Sequence, residues 1–233
     1  MKVLVISDIH LKPWMVKKAK ELMHKESFDK AVFLGDFVDD WDEVKNIGLY
    51  NETFDATHDF LKEFPESLIC IGNHDISYVW NKWQSGFSNY AVDTVRCRLK
   101  ELKRLVPAEN IAFIHRIDTV LFSHAGLCES FVQEHFEHPE AFSIDELITE
   151  INCMRADDLW RDNSPLWVRP QYGYCPMYSD LLQVVGHTPT ATCELKDKVL
   201  SVDVFSTHRD KTPVGCERFV CVDTETGEFK EFS

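Results

Sequence analysis

The sequence predicts an α/β protein built on parallel strands, and three observations carry that expectation. Apolar runs of strand length recur along the chain, helix-patterned segments separate the first of them, and five runs each end in a short polar motif. The runs are Val3-Leu4-Val5-Ile6, Ala31-Val32-Phe33-Leu34, Leu68-Ile69-Cys70-Ile71, Val120-Leu121-Phe122 and Leu181-Leu182-Gln183-Val184-Val185. Their length and their β-branched or aromatic content suit buried strands. The motifs after them are Asp8-Ile9-His10, Gly35-Asp36-Phe37-Val38-Asp39, Gly72-Asn73-His74-Asp75, Ser123-His124-Ala125-Gly126 and Gly186-His187-Thr188. At the carboxyl ends of neighbouring strands they would converge on one rim, where α/β sheets bind ligands.

Between the first two runs, Pro13 stands where a helix can begin, and Met15, Ala19, Leu22 and Met23 recur at helical spacing before Ser27. The second run ends at Gly35-Asp36. A helix with Phe54, His58 and Leu61 on one face follows, and Pro65 separates it from the third run. This alternation predicts parallel βαβ units with right-handed crossovers. After Asp75 the pattern changes to an aromatic stretch, Trp80, Trp83, Phe87 and Tyr90, expected to cap the core, with lining the cleft as the alternative, and then to a helix with Val92, Val95, Leu99 and Leu102. From Leu127 to about residue 170 the chain reads as an irregular helical insert, with Ser143 as an N-cap before Ile144, Leu147, Ile148 and Ile151. The insert is expected to form a substrate-facing lid. The last runs, Val199 to Val204, Phe219 to Val222 and Glu228 to Phe232, predict an antiparallel meander with a tight turn at Glu225-Thr226-Gly227.

At 233 residues, without repeats or a flexible linker, residues 1–233 are expected to form a single domain. A formal charge of −14, from 25 basic and 39 acidic residues, argues against long nucleic acid or an anionic membrane as partner. The eight cysteines, Cys70, Cys97, Cys128, Cys153, Cys175, Cys193, Cys216 and Cys221, form no Cys-x-x-Cys pair and are expected to be reduced. With no signal-like leader and no 18-residue apolar span, a cytoplasmic location is expected.

Asp8 and His10 are one residue apart, so at an extended strand end both side chains point to the same side and can grip one cation. Such a pair is common by chance. Asp36, an acid at an equivalent strand end, changes that, because a carboxylate is the usual bridge between two metals about 3.5–4 Å apart. Asn73, His124 and His187 complete a mixed oxygen and nitrogen set that suits Mn first, with Fe or Zn as alternatives. Two divalent cations would leave this centre net positive inside an acidic protein and attractive to phosphate. They would also make a shared water acidic enough to supply hydroxide near neutrality for in-line attack on phosphorus.

Taken together, the five segments resemble the signature of the calcineurin-like metallophosphoesterase superfamily. The ending Gly186-His187-Thr188-Pro189-Thr190 resembles the branch holding the phosphoprotein phosphatases and the symmetrical diadenosine tetraphosphate hydrolases. The resemblance spans residues 8 to about 203 and implies two facing mixed β-sheets flanked by helices, a four-layer αββα arrangement. It implies one metal on Asp8, His10 and Asp36, and a second on Asp36, Asn73, His124 and His187. It also implies His74 as general acid, oriented by Asp39, with Asp75 and Asp203 steadying the ligands from behind. Asn73 would also touch substrate.

The resemblance has gaps. Phosphoprotein phosphatases carry phosphate-clamping arginines where this chain has Asp40 and Ile71. Arg169 resembles an arginine of the bacterial and phage branch and is the candidate phosphate contact, weighed against a surface salt bridge. The remaining histidines, at 24, 58, 115, 135, 138 and 208, are expected to be structural. The reading is thus a metal-dependent phosphomonoesterase acting on a phosphoprotein or small molecule. A dinucleoside polyphosphate hydrolase or phosphodiesterase is the first alternative, although Pro189 replaces the second histidine of the usual diesterase ending. A non-catalytic binding scaffold is the second.

Overall fold

The computed structural model describes residues 1–173 and 176–233; Cys175 lies outside the described residues. The first apolar run forms β1 (Lys2–Ile6), and α1 (Pro13–Lys25) starts at the proline, whose fixed φ and missing N–H suit a first helical turn. β2 (Lys30–Phe33), α2 (Ile47–Glu63) and β3 (Leu68–Cys70) continue the alternation, and Asn46 caps α2 by accepting from the Leu49 N–H. α3 (Asn73–Trp80) begins on the third motif itself, and α4 (Val92–Leu102) follows. Short strands β4 (Ile111–Ala112) and β5 (Ile114–Ile117) lead into β6 (Val120–Ser123). The insert holds α5 (Glu129–His135), α6 (Ile144–Asn152) and α7 (Ala156–Leu159); Ser143 and Glu146 cap α6 reciprocally. β7 (Leu182–Val185), β8 (Glu194–Lys196), β9 (Val199–Ser201), β10 (Phe219–Asp223) and β11 (Phe229–Phe232) complete the chain.

Two mixed sheets result, one ordered β11-β10-β1-β2-β3-β4 and the other β5-β6-β7-β9-β8. Alternation along β1 shows how they stack. Val3 and Val5 join Val32, Leu34, Phe122, Val184 and Leu200 in an apolar layer between the sheets, whereas Leu4 and Ile6 face Met15, Val16, Phe54 and Phe60 of α1 and α2. On the far side, α5 to α7 pack against Ile114 and Leu121 through Phe131, Leu147, Ile148, Ile151 and Leu159. The layers run α, β, β, α, as expected.

Two sequence-based expectations fail. Residues 199–201 do not belong to a C-terminal meander: β9 pairs parallel with β7 and antiparallel with β8 in the second sheet, while the β10–β11 hairpin extends the first sheet beside β1. Apolar alternation marks a strand without saying which partner it pairs with. The β8–β9 turn, Asp197-Lys198, places both residues at positive φ, the geometry of a primed two-residue hairpin, but lacks the glycine that usually announces one. Nor do all the aromatics after Asp75 cap the core. Phe87 stacks on Tyr78 and Trp80 packs on Phe113, but Trp83 and Tyr90 are exposed at 78% and 64%.

The seven cysteines among the described residues form no disulfide with one another, and none of the described helices is long and apolar enough to cross a membrane. His115, on β5, bonds the Ile69 carbonyl of β3 at 3.1 Å and so ties the two sheets together. Burial holds this imidazole below its usual range, with the Ile69 and Asn110 backbones partly opposing. The unfolded chain therefore takes up the proton first, and the stabilisation, complete above about pH 6.5, is lost as pH falls through that value. In metal-free protein, the stability advantage of wild type over His115→Gln, measured by urea unfolding, should shrink below pH 6.5 by up to about 1.4 kcal/mol per pH unit. A gap independent of pH would contradict this role.

Candidate metal centre

Each motif lies at the carboxyl end of its strand. Asp8 follows β1, Asp36 follows β2, Asn73 and His74 open α3 beyond β3, His124 follows β6, and His187 follows β7. Three motifs thus come from one sheet and two from the other. The turns are tight: His10, Asp36, Asp39 and His187 all have φ between 42° and 64°, left-handed values that non-glycine residues hold only where the surroundings enforce them. Asp75 supplies part of that enforcement. Its carboxylate accepts from the backbone N–H groups of Asp36 at 2.7 Å, Phe37 at 2.9 Å and Gly72 at 3.3 Å, locking the second motif to the third. Asp8 does the same across the sheets, accepting from the His187 N–H at 2.8 Å. Such close approach needs bare backbone, since a Cβ on Gly72 would overlap the Asp36 carboxylate and one on Gly186 the Asp8 carboxylate.

His124 is fully buried, and its Nδ1 donates to the Leu34 carbonyl at 2.9 Å, so Nε2 carries the lone pair. Around that nitrogen stand Asn73 Oδ1 at 2.8 Å, His187 Nδ1 at 3.0 Å and Asp36 Oδ2 at 3.4 Å. Several acceptors converging on one lone pair call for a cation between them. The donor set, carboxylate and amide oxygens with imidazole nitrogens, fits Mn, Fe or Zn. Asp36, His124 and His187 form one group whose ligand atoms lie within 4.8 Å of one another; His10, Asp36 and His74 form a second, so Asp36 belongs to both. Two His/Asp groups sharing a carboxylate indicate a binuclear site. Asp8 falls outside both groups, and His74, expected as an acid rather than a ligand, falls inside one. Asp8 Oδ2 is nonetheless buried and without a hydrogen-bond partner.

Behind the centre, Asp39 collects four donors. Tyr50 and Tyr78 hydroxyls reach Oδ1 at 2.8 and 2.5 Å, while His74 Nδ1 and the Gln84 amide reach Oδ2 at 3.0 and 2.8 Å. Burial, reinforced by Asp39, pushes both phenols well above their usual pKa, so they remain donors. His10 is fixed likewise, its Nδ1 bonded to the Asp39 carbonyl at 2.8 Å, and its ring meets His74 edge-on at 5.0 Å. Sequence reading missed Tyr50, Tyr78 and Gln84. Tyr78 alone left a trace, four residues after His74 on one helix face.

Burial drives the bare cluster toward neutrality. It raises the Asp36 carboxyl, with Asp75 and Asp8 adding to the effect, and raises Asp8, with Asp203 adding. It lowers His10 and His187, and takes His124 down to about 3. Neutral imidazoles are ready ligands, and crowded carboxylates gain their charge when a cation enters. Asp203 is buried and pushed up to about 6, held through Oδ1 by the Ser206 hydroxyl at 2.8 Å while its Oδ2 has no partner.

A cavity of about 310 Å³ opens beside His10, His74 and His187. Arg169 lines it, and it makes no ion pair among the described residues: its Nη1 donates to the His187 carbonyl at 3.2 Å and to Thr188 Oγ1 at 3.0 Å. Of residues 127–170, Arg169 alone lines the cavity, while Trp167 packs edge-on against His187. Lys12 and Trp41, which sequence reading passed over, form part of the wall, with the Trp41 indole donating to the Thr207 carbonyl at 2.8 Å.

The sequence matches the calcineurin-like phosphoesterase family over residues 1–209, and the chain belongs to that family. The fold resembles that of a cold-active protein-tyrosine phosphatase of a psychrophilic Shewanella species, with 17% identity, all of this chain and 80% of that one covered, and a TM-score of 0.60. It also resembles a metallophosphoesterase from Sphaerobacter thermophilus, at 14% identity, 100% and 88% coverage and a TM-score of 0.51. A protein serine/threonine phosphatase from Saccharomyces cerevisiae matches at 14% identity, 95% and 72% coverage and a TM-score of 0.51. No curated protein matches the chain.

Proposed function

We propose that this metallophosphoesterase is a phosphomonoesterase acting on a small phosphorylated molecule or a phosphoprotein, with two divalent cations, Mn before Fe or Zn. What supports the reading is one observation: His187, one of the groups gathered round His124 Nε2, and the His74–Asp39 pair border the same cavity. Asp8, His10 and Asp36 would hold one cation, and Asp36, Asn73, His124 and His187 the other. When bound, such a pair supplies an acidified water and neutralises charge on the phosphoryl oxygens. Asp39 holds the His74 ring by Nδ1, leaving Nε2 to protonate the departing oxygen. Asp75 keeps the Asp36 and Asn73 turns in register, and Asp203 steadies the wall through Ser206. Arg169 orients the phosphate, and the chain works as a single domain whose 127–170 segment reaches the substrate cavity through Arg169.

The test loads purified protein with Mn, Fe or Zn, counts the metal, and compares p-nitrophenyl phosphate with bis-p-nitrophenyl phosphate. Two metals per chain and at least about tenfold preference for the monoester in kcat/KM are expected. A diester preference would favour the diesterase alternative, and the absence of both metal and turnover would favour a binding scaffold.

A further inference from the structure

A phosphoryl group seated at the centre presents negatively charged oxygens to the rest of the cavity, so the side-chain cations lining that cavity decide how a dianion is held. Among the described residues there are two, Arg169 and Lys12. Lys12 is the unusual one. It is only 6% exposed, yet its ammonium makes a single hydrogen bond, to the His10 carbonyl at 3.3 Å, and pairs with no carboxylate among the described residues. Asp40 and Asp203 act on it from beyond ion-pair distance. Burying an ammonium with one long hydrogen bond is costly unless an anion completes its shell. The backbone is arranged to keep it there: His10 and Leu11 both take positive φ, at 42° and 55°, which turns the chain back before α1 begins and leaves Lys12 over the cavity rather than on the outer surface of the helix.

We infer that Lys12 is a phosphate-binding residue, placing its ammonium on an oxygen of the bound phosphoryl group from the wall shared with Arg169, and that it selects dianionic monoesters over monoanionic diesters. The inference rests on the phosphate-binding centre proposed above. Lysine suits the task as a compact point charge with three donors, whereas Arg169 spends Nη1 on His187 and Thr188 and offers the remainder of its fork. The position is unrelated to Asp40 and Ile71, so the charge missing there enters the site from a different strand end.

The experiment titrates inorganic phosphate into Mn-loaded wild type, Lys12→Met and Lys12→Arg by calorimetry, counts metal in each, and measures kcat/KM on p-nitrophenyl phosphate and bis-p-nitrophenyl phosphate. Lys12→Met should weaken phosphate binding by about 10- to 100-fold with both metals retained, and should lower the monoester-to-diester ratio by about tenfold or more, with Lys12→Arg restoring part of each. Phosphate affinity within threefold of wild type in Lys12→Met overturns the inference, as does a loss of affinity that tracks loss of metal. If Lys12→Met fails to fold, Lys12→Gln carries the same comparison. Wild type that binds phosphate but hydrolyses neither ester would remove the proposed function and leave Lys12 as an anion site; active wild type with unchanged phosphate affinity in the variant would remove Lys12 alone.

Discussion

Asp36→Asn should lower kcat/KM for a phosphomonoester by about 10⁴-fold or more, about 5 kcal/mol of transition-state stabilisation, and should reduce bound metal from two per chain to one or none. Asp36 belongs to both groups of converging ligand atoms, with Oδ2 at 3.4 Å from His124 Nε2 and at 3.8 Å from His10 Nε2. Asparagine keeps the shape and can still accept from the His74 N–H, which now reaches Asp36 Oδ1 at 2.9 Å. It loses the negative charge and the second oxygen that bridging requires. Metal counting and steady-state kinetics on the same preparation decide the matter; a variant with two metals and near wild-type turnover would remove Asp36 from the shared position.

His74→Asn should instead separate chemistry from metal binding. With the ring held by Asp39 at 3.0 Å and bordering the cavity, its loss should lower kcat by about 10²–10⁴ on alkyl phosphates and by much less on p-nitrophenyl phosphate, whose leaving group needs little protonation. Metal content should not change. The geometry makes this a demanding test, because His74 also lies within ligand reach of His10 and Asp36. Loss of metal in step with activity would make it a ligand and leave the leaving group without its acid.

The convergence of the candidate ligand residues was legible because each sits at a strand end announced by an apolar run, and strand ends in α/β sheets point to one rim. That logic placed Asp36, Asn73, His124 and His187 together, as the coordinates do. What supports them was hidden for a different reason. Tyr50 and Gln84 reach Asp39 from separate segments, and nothing local to either residue encodes that meeting. Lys12 was masked by its neighbourhood, since a lysine beside a helix start normally faces solvent. The sheet assignment of β9 failed similarly: hydrophobic patterning specifies a buried strand, while its pairing partner depends on the hairpin and crossover that precede it.

The origin of the proposed ligands in two separate sheets would give bound cations a mechanical part beyond chemistry. Asp8, Asp36 and Asn73 belong to one half of the molecule and His124 and His187 to the other, residues up to 179 positions apart that come within hydrogen-bonding range only once both halves have assembled. Ion capture would then be a late event in folding, because the long loops must close before any complete nest of donors exists. Once captured, the ions would act as rivets through the seam, and every increment of their affinity would add to the cohesion of the whole body.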